Sequence, residues 1–211
     1  MEINGLAAIV TGGGSGLGAE TARQLAAKGA KVALFDVNVE GAQAVAAEID
    51  GLAIDCDVTS DEGVAAAIAQ AQAAHGVARI LINAAGIAPG KRIIDREGNA
   101  TSLDYFRKGI EINLVGAYNV MSKAAAEMSK ADPVNDDNER GVVISTGSIA
   151  TQEGQVGQAS YSASKMGLMG MMLPAAREFT RFGIRVNTIN PGVVETPMLT
   201  NMPAEVQESL G

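Results

Sequence analysis

Short apolar runs alternate along this chain with longer, alanine-rich stretches whose apolar positions recur at helical spacing. The short runs predict six strands, at 6–11, 31–36, 52–58, 80–83, 142–145 and 185–190. The longer stretches predict helices at 17–28, 39–49, 61–75, 103–130 in two pieces, and 160–182. Regular alternation of strand and helix is the pattern of an α/β protein, a doubly wound parallel sheet flanked by helices on both faces. Gly29 and Gly183 follow their helices where a left-handed cap is wanted. Pro174 falls inside the last helix, removes the hydrogen bond to Gly170 and predicts a kink. The polar segment 131–141, with Pro133 and no periodicity, predicts a surface loop.

A length of 211 residues with 47% hydrophobic and 19% charged residues suits one domain spanning 1–211. The net charge of -8 repels polyphosphate backbones, so neither nucleic acid nor an anionic membrane surface is an expected partner. No apolar run approaches the ~18 residues of a membrane span. Leu6 already opens a core strand, which leaves no room for a cleavable signal, and a cytoplasmic location is expected. Cys56 and His75 are the only residues of their kinds, which excludes an internal disulfide and a His- or Cys-based zinc site by counting. Cys56 is expected buried in a strand, and His75 at the end of a helix, before Gly76. Met166, Met169, Met171 and Met172 suit core or subunit-interface packing better than a ligand surface.

Candidate chemistry begins after the first strand, where Thr11-Gly12-Gly13-Gly14-Ser15-Gly16-Leu17-Gly18 leads into a helix. Glycines allow positive φ and close backbone approach, and the free N–H groups of a helix start favour a pyrophosphate. The spacing is neither G-x-G-x-x-G nor a Walker loop, and a tight turn with no ligand would look similar. Asp36, twenty residues past Gly16, stands where a dinucleotide fold places the acid that accepts from the ribose 2′-hydroxyl. Its charge would repel a 2′-phosphate, and Val37 and Asn38 offer no compensating cation, so NAD is expected over NADP. Asp57 and Val58, at the end of the third strand, could bracket the adenine or simply make a turn.

Tyr161 and Lys165 lie one turn apart on a predicted helix. A free phenol, with a pKa near ~10, is a poor base at neutral pH. An ammonium at ~4 Å in an effective dielectric of ~20 offers ~4 kcal/mol toward the phenolate. An exposed Tyr with a helical Lys neighbour is the commoner meaning of an isolated match. Ser148, thirteen residues before Tyr161 and just past the fifth strand, could aim a hydroxyl into the crevice at the carboxyl end of the sheet.

These residues, with Asn83-Ala84-Ala85-Gly86, Asn113 and Pro191-Gly192, resemble the ordered signatures of the short-chain dehydrogenase/reductase family, over nearly the whole chain. The resemblance implies a Rossmann-like fold and a secondary alcohol–ketone oxidoreductase. Tyr161 would exchange the proton with the substrate oxygen, Ser148 would hydrogen-bond it, and Lys165 would bind the nicotinamide ribose. Asn113 would hold a water that relays the proton. Gly12, Ser15, Gly16, Leu17 and Gly18 would hold the pyrophosphate, with Asn83, Ala84 and Gly86 as the cofactor wall. Pro191, Gly192, Val194 and Thr196 would line the nicotinamide end, though Thr196 could equally cap a helix before Pro197.

Within that family, 153–158, Tyr161 to Lys165 and the loop 131–141 resemble the NAD-dependent 3-hydroxyacyl-CoA dehydrogenases of type 2. That likeness implies an acyl-CoA thioester substrate, with Gln155 and Gln158 toward the acyl group, a role in fatty acid metabolism and a homotetramer. A dehydrogenase of steroids or other secondary alcohols, and a non-catalytic NAD-binding scaffold or fragment, are the alternatives. No basic cluster obvious in the sequence marks a CoA phosphate site. Family members continue into a further helix and seventh strand that a sequence stopping at Gly211 does not contain, and the tetramer is expected only where that end is present.

Overall fold

A computed structural model describes residues 1–201 and Gln207. Six parallel strands, β1 (Ala7–Thr11), β2 (Lys31–Asp36), β3 (Leu52–Asp55), β4 (Ala78–Asn83), β5 (Gly141–Thr146) and β6 (Ile184–Ile189), form one sheet in the order β3-β2-β1-β4-β5-β6. The order reverses between β1 and β4, which opens a crevice above their carboxyl ends. Register brings those ends level, since Thr11 pairs with Phe35 and Asn83, and Asn83 with Ser145.

Both faces are covered, so the strands alternate between two apolar cores rather than between core and water. Ala8, Val10, Val32 and Leu34 pack under α1 (Gly16–Ala27) and α2 (Val39–Ile49). Ile9, Ala33, Phe35, Leu81 and Val143 pack under α3 (Asp61–His75), α5 (Gly116–Lys130) and α6 (Ala159–Phe179). Among the described residues no helix is long and apolar enough to cross a membrane.

Several expectations shift. The third strand stops at Asp55 instead of 58, because the Asp57 carboxylate accepts from Thr59 N and Thr59 Oγ1 and turns the chain toward α3. Cys56 is buried, but just past that strand. The region 103–130 holds two α-helices, as expected, but a π turn joins them without a break. It comprises α4 (Leu103–Ile110), a π turn (Glu111–Val115) and α5. The last long helix, with Pro174 inside it, ends at Phe179 rather than 182 and tightens into a 3₁₀ turn (Thr180–Phe182) that Gly183 ends at φ 67°. Met171 and Met172 pack against the core, whereas Met166 is exposed. An antiparallel bridge between Ile94 and Ala100, in the long β4–α4 connection, has no counterpart among the expected elements.

Candidate active site

The crevice holds a cleft of about 840 Å³ that runs from the glycine-rich turn to the start of α6. Gly12 leaves β1 at φ 66° and Gly16 opens α1 at φ 52°. A Cβ on Gly12 would come within 2.8 Å of the Ala85 backbone, and one on Gly18 would overlap the Gly12 carbonyl. Only glycine permits this packing. The first intrahelical bond runs from Ala19 N to Ser15 O, so the N–H groups of Gly16, Leu17 and Gly18 have no partner within the helix. The result is a cradle with its positive helix end toward the cleft, and its shape and donors fit a pyrophosphate.

Farther along, the Asp36 carboxylate is fixed by two backbone donors, Gly14 N to Oδ2 and Asn38 N to Oδ1, each at 2.8 Å. A carboxylate has lone pairs left for ribose hydroxyls after two such bonds. Asp57 and Val58 line the same end. Cys56 lines it too, but burial, with the nearby carboxylates of Asp57 and Asp55, pushes its thiol up to about 11. It is an inert thiol at neutral pH.

At the other end, the loops after β5 and β6 are tied together by Gly147 N to Ile189 O (2.7 Å) and Ile149 N to Pro191 O (3.1 Å). Ser148 stands between these ties. Its Oγ accepts from Ala150 N at 3.1 Å, which leaves the hydroxyl proton free to donate. Tyr161 lies in the first turn of α6, and Lys165 Nζ sits 5.7 Å from its ring centroid. Lys165 is 5% exposed and donates to the Thr146 carbonyl at 2.6 Å. Burial lowers its ammonium from the ordinary 10.5 to about 8.

Of the residues singled out from sequence, Gly12, Ser15, Gly16, Leu17, Gly18, Asp36, Asp57, Val58, Ala84, Gly86, Ser148, Gln155, Gln158, Tyr161, Lys165, Pro191, Gly192, Val194 and Thr196 all line the cleft. Asn83 and Asn113 stand behind its wall. Asn83 is buried and donates to Ala117 O, and the Asn113 amide is spent on Ile87 N, Ile87 O and Ser164 Oγ. Thr196 is the cap residue of the short α7 (Pro197–Thr200), and its hydroxyl reaches Val194 O at 3.4 Å. Gln155 N donates to Gln158 Oε1, so these two form a turn on the substrate rim. Sequence reasoning missed the Thr146 carbonyl, Ser164, Lys108 and Glu111, and took Glu153 only as part of the segment 153–158. A backbone carbonyl leaves no residue signal, and Lys108 and Glu111 match any solvated helix face. Among the described residues no cluster of three or more His, Cys, Asp or Glu suits a metal ion.

Two predictions test this geometry. Gly18→Ala should abolish binding of a pyrophosphate-linked dinucleotide, read by equilibrium dialysis, while the apo-protein is destabilised by about 1–3 kcal/mol through forced overpacking. Lys165 titrates lower in the folded chain than in the unfolded one. Its burial cost is therefore present in full below about 8 and is relieved as pH rises from there toward 10.5. Urea unfolding from pH 7 to 10 should show wild type gaining on Lys165→Met by on the order of 3 kcal/mol. A constant difference would refute the buried charge.

The short chain dehydrogenase family model matches residues 6–207. Human 3-hydroxyacyl-CoA dehydrogenase type-2 is 42% identical over 208 residues, 97% of this chain and 79% of the relative. The cis-4-hydroxycyclohexanecarboxylate dehydrogenase of Sinomonas cyclohexanicum is 36% identical over 96% of this chain and 79% of its own length. The crystal structure of 3-hydroxyacyl-CoA dehydrogenase type-2 from Mycobacterium avium superposes with a TM-score of 0.88 at 38% identity, over 99% of this chain and 80% of that one. With its six-stranded parallel sheet and its cleft at the β1–β4 reversal, this chain belongs to the short-chain dehydrogenase family and is an oxidoreductase.

Proposed function

We propose that this chain is an NAD(H)-dependent dehydrogenase interconverting 3-hydroxyacyl-CoA and 3-oxoacyl-CoA thioesters. The observation that carries the reading is the meeting of Ser148, Tyr161 and Lys165 in the same cleft as the glycine cradle and Asp36. NAD, when bound, supplies or accepts the hydride. Tyr161 passes a proton to the substrate oxygen as the ketone is reduced, and takes one from the hydroxyl in the reverse direction. Lys165, still largely protonated at pH 7 with its ammonium at about 8, stands beside the Tyr161 ring as a cation and would hold the nicotinamide ribose. Ser148, with its acceptor side used by Ala150 N, donates to the substrate oxygen as charge builds there. Asn113 acts from behind the wall.

Asp36 supports NAD over NADP, because its pinned carboxylate leaves a 2′-phosphate no neutralising partner at Val37 or Asn38. The acyl-CoA assignment draws on the names of the 42% and 38% identical relatives and on the rim of the cleft. Lys108 lines the cleft, and Lys91, outside that lining, holds its Nζ 5.5 Å over the ring of Tyr105, one turn before Lys108 on α4. Two cations beside an aromatic face suit a nucleotide with phosphates, while Gln155 and Gln158 border the acyl end. Exposed Tyr118 on α5 and Met166 and Leu173 on α6 support a homo-oligomer. The relative that acts on a cyclic hydroxy acid keeps a ring-bearing secondary alcohol, steroids included, as the second reading.

Acetoacetyl-CoA should drive oxidation of NADH in preference to NADPH, and Tyr161→Phe should cut the rate by about 10²–10⁴-fold. A mutant that keeps most of the rate would end the mechanism, and a cyclic alcohol preferred over the thioester would favour the second reading. The double variant K91Q/K108Q should raise KM for acetoacetyl-CoA several-fold and flatten its salt dependence. The N-acetylcysteamine thioester, which lacks the nucleotide, should be processed unchanged. Equal effects on both thioesters would remove the two lysines from CoA recognition.

A further inference from the structure

We propose that Ser164, outside the lining of the cleft, is a positioning residue whose hydroxyl fixes the catalytic turn of α6 against the cofactor wall at 84–88. The inference rests on the reading in which Tyr161 and Lys165 carry the proton chemistry. Ser164 is fully buried. Its one hydroxyl proton goes to the Tyr161 carbonyl at 2.7 Å, and its oxygen accepts from Asn113 Nδ2 at 3.0 Å. The other Asn113 amide hydrogen goes to Ile87 O at 2.9 Å, and Asn113 Oδ1 accepts from Ile87 N at 2.8 Å. Reversing the Asn113 amide would set donor against donor at Ile87 N, so the network has a single arrangement of its protons.

Three elements meet in that network: the wall after β4, the π turn that carries Asn113, and the helix turn that carries Tyr161 and Lys165. The π turn closes with Gly116 N bonded to Glu111 O, a wider register than the helices on either side, and such turns recur at functional sites. Gly86 shows how close the elements are. A Cβ there would lie 3.0 Å from Asn113 Oδ1 and 3.6 Å from Lys165 Nζ. With no side chain between wall and ammonium, the depth of Lys165 is set by what holds its turn. Ser164, the residue immediately before it, supplies the side-chain link to Asn113. Tyr161 and Lys165 belong to one helical turn, so a shift there displaces both, and misplacement by ~1 Å can cost ~10²-fold in rate.

Ser164→Ala removes only the hydroxyl, and Ser164→Cys keeps the shape with a weaker donor. In the apo-protein, native-state hydrogen exchange at the Ile87 amide should accelerate about tenfold or more, while the core amide of Val10 is unmoved. With saturating NADH, kcat should fall about 10- to 100-fold, and the primary isotope effect from deuterated NADH should rise as hydride transfer becomes limiting. Exchange at Ile87 that merely tracks Val10, or a loss of kcat matching the folded fraction with an unchanged isotope effect, would overturn the proposal. If Ser164→Ala does not fold, Ser164→Cys decides by the same readouts. Wild-type protein inert toward acetoacetyl-CoA would sink the substrate reading alone, since the exchange measurement needs no substrate.

Discussion

Thr11 ties the two halves of the sheet at the point where the strand order reverses. Its hydroxyl oxygen, at the end of β1, accepts from Ala84 N and Ala85 N at the end of β4, both at 3.1 Å. The Gly12 backbone then passes so close to Ala85 that no side chain fits between them. The glycine cradle stands on one side of this seam and the wall facing Lys165 on the other, so their separation is set by it. A parallel sheet without this junction would still have a crevice, but not two walls at a fixed distance.

Around that seam the protein uses charge sparingly. Lys165 is the only buried Lys or Arg among the described residues, and burial lowers its pKa. The Thr146 carbonyl gives the ammonium one short hydrogen bond, and no carboxylate is paired with it. A carboxylate partner would stabilise the ion but would also neutralise it, so without one the ammonium keeps its field in the cleft. The other cleft groups are arranged to be quiet. Cys56 is held as a thiol, and the carboxylates of Asp36 and Asp57 are tethered to backbone N–H groups.

The sheet and most helices were legible because apolar periodicity is a local property, and parallel strands buried on both faces give dense apolar runs. Errors gathered where a side chain overrides that pattern. Asp57 ends the third strand early by accepting from Thr59, and apolar Cys56 and Val58 give no hint of it. The two helices of 103–130 were legible but the π turn that joins them was not, because it keeps the chain helical while shifting its register, and register depends on what Asn113 finds across the gap.

The cleft residues were legible for a different reason. Glycines that must lack a Cβ, an acid at the end of the second strand and a Tyr–Lys pair one turn apart are demanded by chemistry at fixed positions along the chain, so they survive as motifs. Their supports carry no such mark. Ser164 is an ordinary helical serine until Asn113, fifty-one residues earlier, donates to it. Lys165 gains its lowered pKa only from the atoms that exclude water from it. Sequence alone thus determined which groups the chain carries and which elements bear them, since both follow from local pattern. Tertiary structure decided which polar groups are dry, which are paired and how far apart the walls stand, because burial and hydrogen bonding arise between segments distant along the chain.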